Sequence, residues 1–227
     1  MLSSVRDLGM NARMASSYDL SIFASGYESR CTYAAKRLLE AETRLGDVLV
    51  LGFGEHAAVG ARKASDDFFA NEMKTEPMEC DSEDDSVVLD FLRSRVSEKR
   101  DVRICVDYSS MPRAWYAAVL NWARLSERGS FTVDFMYSTG EYPERDSPVV
   151  VTGSLPVAGF EGRRPDGGRT VAVVGLGFDE LVPFVVHEFL EPDLVYGVVA
   201  SPGASEDSVE RSLNSNDDFI RKEVDHL

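Results

Sequence analysis

The sequence predicts an α/β protein with a mostly parallel central sheet. Two observations carry that expectation. Short apolar runs at residues 19–24, 47–51, 102–106 and 131–137 are each bounded by segments with helical spacing, and the alternation returns after residue 169. The runs also end in turns rich in Gly, Ser and Asp, as at Ser25-Gly26-Tyr27-Glu28 and Asp107-Tyr108-Ser109-Ser110. Strand and helix in alternation is the pattern of βαβ units, and their right-handed crossovers put the carboxyl ends of the strands on one side. A Rossmann-like, three-layer arrangement follows.

In chain order, residues 1–17 read as a flexible leader without the apolar stretch of a secretion signal. The core is expected over 18–158. Its first strand, 19–24, leads through a glycine turn to a helix over 29–42, with Tyr33, Ala34, Arg37 and Leu38 at helical spacing. Gly46 ends that helix and strand 47–51 follows, closed by Gly52-Phe53-Gly54. Residues 55–70 suit a helix. Residues 71–86 are polar and acidic and read as a loop or as the cap of the next helix, because carboxylates favour a helix N-terminus. Helix 86–98 sets Val87, Val88, Phe91 and Leu92 on one face.

Strand 102–106 then delivers the chain to an apolar helix over 114–125, and strand 131–137 follows. Residues 143–148 are a charged loop and 149–152 a short strand. Residues 159–168, GFEGRRPDGG, read as a loop or linker. Beyond it, strand 170–174, helix 180–190 and strand 194–200 form a further βαβ unit, continuing the same sheet or making a small second lobe. A polar, helical tail starts at 206.

Composition narrows the function. The chain has 227 residues, with 24 Lys and Arg against 39 Asp and Glu, a net charge of −15. Such a surface repels a phosphate backbone at long range, so duplex DNA is not an expected partner. A local basic pocket for a small anion remains compatible with it, because distant charges are screened. Cys31, Cys80 and Cys105 form no CxxC and no metal-like spacing with His56, His187 or His226, which fits a reducing cytoplasm and no metal. Cys105 reads as a small core residue and His187 as a satisfied core histidine. No apolar stretch is long enough to span a bilayer.

Three strand ends echo one another. Gly26-Tyr27-Glu28, Gly52-Phe53-Gly54-Glu55 and Gly177-Phe178-Asp179 each place a glycine, an aromatic and then an acid. Glycine lets a backbone turn sharply or approach a ligand closely, and the acid would sit near a helix N-terminus. The same residues also serve as plain strand-to-helix connectors. Gly175-Leu176-Gly177 lacks the third glycine of a dinucleotide-binding turn, since Glu180 stands there, and no GxxxxGK[ST] occurs. No cofactor is expected.

The most informative stretch is Asp107-Tyr108-Ser109-Ser110-Met111-Pro112-Arg113. A buried strand delivers an acid, two hydroxyls and an arginine to the start of an apolar helix. Ser109 or Ser110 suits the N-cap and Pro112 the first turn. The backbone N–H groups there favour an anion, and Arg113 adds a planar fork for phosphate or carboxylate. A purely structural reading pairs Arg113 with Asp107 or Glu28. By topology the neighbours are Gly26, Glu28 and Arg30, Gly52, Tyr137, Ser138 and Thr139, and Gly177 and Asp179, with Tyr142 placed to stack on a base. Glu28 and Asp107 are the candidate acid and base for glycosidic-bond chemistry on a nucleoside or nucleotide. Ser109 and Ser110 have no GxSxG context.

With Asp107, Ser109 and Arg113 in view, the chain resembles the CRISPR-associated Rossmann-fold (CARF) ligand-sensing domains of prokaryotic defence systems. Those domains carry an acid or amide, a hydroxyl residue and a basic residue in the turn after a central strand. Ser110-Met111-Pro112 stands where they have a glycine pair. The resemblance implies a sensor of cyclic or linear oligonucleotides, a homodimer with the ligand across its two-fold axis, and an effector elsewhere. The expected function is thus a sensor or binding module for a nucleotide or similar phosphorylated ligand. An enzyme acting on a nucleoside or nucleotide and a structural protein-interaction domain are the alternatives.

Overall fold

The computed structural model describes residues 14–54, 60–96, 101–126, 130–140, 155–162, 166–201, 203 and 205–227. The chain divides into two compact units, residues 1–140 with 157–160, and residues 141–156 with 161–227. The expected strand at 149–152, the loop at 143–148, Tyr142 and His56 lie outside the described residues.

The first unit is a Rossmann-like, three-layer α/β fold. Strands β1 (Leu20–Ser25), β2 (Asp47–Phe53), β3 (Met78–Cys80), β4 (Val102–Asp107) and β5 (Phe131–Met136) form one parallel sheet in the order β3-β2-β1-β4-β5. Helices α1 (Tyr33–Glu40) and α2 (Arg62–Glu72) belong to one layer, and α3 (Ser86–Val96) and α4 (Arg113–Leu125) to the other.

Strand period decides which side chains meet which layer, since successive residues point to opposite faces. Leu20, Ile22 and Ala24 of β1, with Ile104 and Val106 of β4, pack against Val88, Leu92, Trp115 and Val119 of α3 and α4. Phe23, Val50 and Cys105 face Ala35, Leu38 and Phe69 of α1 and α2. Strands covered on both faces read as continuous apolar runs, which is why β1, β2 and β4 stand out in the sequence. Trp115 anchors the α4 side: fully buried, its ring lies tilted against Phe53 with centroids 4.9 Å apart, and its indole N–H donates to the Asp81 carbonyl at 3.1 Å.

Several elements differ from the sequence expectation. Residues 29–32 form a 3-10 turn before α1, and α1 ends at Glu40, with Glu42 in the left-handed region at φ 53°. Within the stretch expected to be loop or cap, residues 78–80 form the edge strand β3, pairing with Leu51, Gly52 and Phe53. The leader is not wholly detached, since Met14 and Ala15 pack on the α1/α2 side. The start of the expected linker is bound to α4, where Arg124 donates to the Gly159 carbonyl at 3.2 Å.

The second unit holds β6 (Val171–Gly175), α5 (Val182–Leu190) and β7 (Leu194–Val198), then α6 (Ser208–Ser215) and α7 (Asp217–Glu223). Strands β6 and β7 pair in parallel in a two-stranded sheet of their own. Ala172, Val174, Leu176 and Val195 pack on Phe219. His187 is half-buried rather than a core residue, with Nε2 3.3 Å from Glu223.

Candidate functional site

In a doubly wound sheet the crevice for a ligand lies outside the strand carboxyl ends, where the strand order reverses. Here β1 is that point: the chain steps out to β2 and β3 on one side and returns to β4 and β5 on the other. The turns after β1, β4 and β5 therefore meet, and the side chains there form one connected set within the first unit.

Asp107 ends β4 and is 2% exposed. Its Oδ1 accepts from the Ser109 backbone N–H at 3.1 Å and from the Ser109 hydroxyl at 2.5 Å. The Ser109 oxygen in turn accepts the Ser138 backbone N–H at 2.7 Å, which ties the β4 turn to the end of β5. Burial pushes the Asp107 carboxyl up to about 6, a rise opposed by the two Ser109 bonds and by the Arg30 charge. Two atoms of the turn, Oδ2 of Asp107 and Oγ of Ser110, are shielded from solvent and have no hydrogen-bond partner. Buried polar atoms are nearly always paired, so two such atoms in one short turn mark it out.

Gly26 brings the end of β1 against this turn. A Cβ at Gly26 would lie 2.9 Å from Ser110 Cβ and 3.3 Å from its Oγ. Only glycine fits without displacing the serine. Two residues on, Glu28 is claimed by Arg30, whose Nε donates to it at 2.9 Å. Arg30 Nη1 reaches across to the Tyr137 hydroxyl and the Ser138 carbonyl, each at 3.0 Å. Tyr137 stacks on Tyr108 with ring centroids 5.2 Å apart.

Gly26, Glu28, Arg30, Asp107, Ser109, Ser110, Tyr137 and Ser138 thus come together as the topology requires. Arg113 is exposed in the first turn of α4 and pairs with neither Asp107 nor Glu28. The N-cap of α4 is Pro112, and no side chain caps the helix; Ser109 is committed to Asp107 instead. Thr139 is exposed beyond β5. Gly52 lies a strand away from Gly26, and its missing side chain has a different reason: a Cβ there would meet Arg62 Nη2. Gly177 and Asp179 follow β6, a strand of the other sheet, so the shared-edge reasoning does not extend to them.

Sequence reasoning missed Arg62, a guanidinium 2% exposed at the start of α2. It donates to Asp66 Oδ1 and to the Phe53 carbonyl, each at 2.7 Å, while the same Asp66 oxygen accepts the Ser25 hydroxyl at 2.6 Å. The glycines at 52 and 54 signalled a close approach without saying by what. Cys31 is buried, donates to Ser65 Oγ at 3.0 Å, and burial pushes its thiol up, which makes it a poor nucleophile.

Among the described residues no group of three or more His, Cys, Asp or Glu is placed to hold a metal, and no helix is long and apolar enough to cross a membrane. Set against protein-family models, curated proteins and solved structures, the chain matches none of them.

Proposed function

We propose that this chain is a Rossmann-like sensor that binds a nucleotide or similar phosphorylated small ligand outside the carboxyl ends of β1 and β4. The observation that carries the reading is the β4–α4 turn: α4 begins without a side-chain cap, with Arg113 exposed in its first turn. Backbone N–H groups at a helix start, with the helix dipole behind them, favour an anion, and a guanidinium adds two parallel donors to it. The resemblance to CARF domains extends the reading to signalling in prokaryotic defence by a homodimer. Thermal-shift titration with a nucleotide panel tests it. At least one nucleotide is expected to raise Tm, and Arg113→Ala is expected to remove most of that rise. No rise from any nucleotide, or a rise unaffected by Arg113→Ala, counts against the sensor.

A second reading is favoured by the position of Asp107 on the pH scale. A carboxyl lifted to about 6 approaches the range in which a general acid or base works at neutral pH. In that reading the chain acts on the glycosidic bond of a nucleoside or nucleotide, with Glu28 as the second acid. Product analysis after incubation with NAD, nucleosides and nucleotides separates it from the sensor.

A further inference from the structure

We infer that the ligand meets the turn after β4 through neighbouring hydroxyl groups of a ribose-type sugar, which Asp107 and Ser110 receive. The inference rests on the phosphorylated-ligand reading and says which part of such a ligand goes where.

The two unpartnered atoms differ in what they can bond. Oδ2 of Asp107 belongs to a carboxyl whose other oxygen is already taken by both donors of Ser109. As a carboxylate it only accepts. Ser110 Oγ carries a proton that needs an acceptor, and lone pairs besides. An ionised phosphate would satisfy Ser110 but has no proton for Asp107 and repels it at short range. An ammonium would satisfy Asp107 but offers Ser110 no acceptor. A hydroxyl donates and accepts, so neighbouring hydroxyls meet both atoms at once.

Placement agrees with this chemistry. Gly26 lets the end of β1 lie directly against Ser110, since an added Cβ would sit 2.9 Å from Ser110 Cβ, and this brings the two strand ends together at the unpartnered hydroxyl. The anionic part of the ligand is left to the uncapped start of α4 and Arg113, on the other side of Pro112. The turn thus separates a pole that receives hydroxyl groups, Asp107 and Ser110, from a cationic one at Arg113.

The test is thermal-shift and calorimetric titration of the full chain. The probes are the common ribonucleosides, their 5′-monophosphates, ribose 5-phosphate, and the 2′,3′-dideoxy form of each nucleoside and nucleotide. The ribo-form is expected to bind about tenfold tighter than its dideoxy counterpart, the size of one or two buried hydrogen bonds. Asp107→Asn and, independently, Ser110→Ala are expected to remove most of that preference. Ser110→Ala breaks no bond of the free protein, so it keeps the test sound if Asp107→Asn folds poorly. Ribo- and dideoxy-nucleotides binding equally well overturns the hydroxyl assignment and leaves the phosphorylated-ligand reading standing. A ribo-preference that both variants retain also overturns it. Ribonucleosides binding through the two residues with no gain from phosphate supports the hydroxyl assignment and defeats that reading. No binding by any probe overturns both.

Discussion

The turns after β4 and β6 share a strand-to-helix layout and differ in what surrounds them. Each follows a short apolar strand and brings an acid within reach of a helix start. β4 is covered on both faces, so Asp107 arrives in the interior with its carboxyl half-satisfied. β6 alternates, with Ala172 and Val174 buried but Val171 and Val173 52% and 70% exposed, and it delivers Gly177 to an open turn. A Cβ on Gly177 would meet nothing within 4 Å, whereas one on Gly26 collides with Ser110. The same residue types are therefore ordinary connectors in one sheet and a constrained, polar interior in the other. What separates them is two-sided coverage of the strand.

The largest expected effect tests that coverage. Trp115→Ala removes the main anchor of the α4 layer beneath the β4 turn and should lower stability by about 3–5 kcal/mol in chemical denaturation. A loss near zero would mean the α4 layer does not hold the turn. Next comes the buried acid. Folding raises the Asp107 carboxyl from 3.8 to about 6, so the folded protein holds that proton more tightly than the unfolded chain. This group's contribution to stability therefore falls as pH rises through that window and is level above it, by roughly 3 kcal/mol in all. The Tm of wild type minus that of Asp107→Asn, followed between pH 4 and 7, should decline accordingly, and a flat difference would place the carboxyl in water. The glycines give the smallest effects. Gly26→Ala should cost about 1–3 kcal/mol by overpacking against Ser110, while Gly177→Ala should change stability by less than about 0.5 kcal/mol. Equal effects at the two sites would erase the contrast.

Much of the first unit is legible in the sequence because a strand buried on both faces is a continuous apolar word. DLSIFA, DVLVL and VRICV need no partner to be recognised, and their alternation with helices sets the parallel order. β3 escaped because an edge strand of three residues, with Glu79 in its middle, leaves no such run. Residues 78–80 become a strand only because β2 is there to pair with them. At the site, the Asp107 turn could be read from local chemistry. Topology put Arg30 near Tyr137 and Ser138, but the bonds themselves, across more than a hundred residues, and that of Arg62 back to Phe53 are not written in the local sequence. The separate sheet of β6 and β7 was likewise open in the sequence, since strand pairing partners are not written in either strand.

Both tryptophans of the chain, Trp115 and Trp122, lie on α4, one locked against Phe53 and the other 4.8 Å from the ring of Phe131. Indole emission is therefore a reporter of one helix. Excited at the red edge of its band, the protein signals the melting of the layer under Asp107, and the β6–β7 unit is spectroscopically silent. A probe of that unit must be introduced separately, and disagreement between the two readouts would directly count the cooperative blocks in which the chain unfolds.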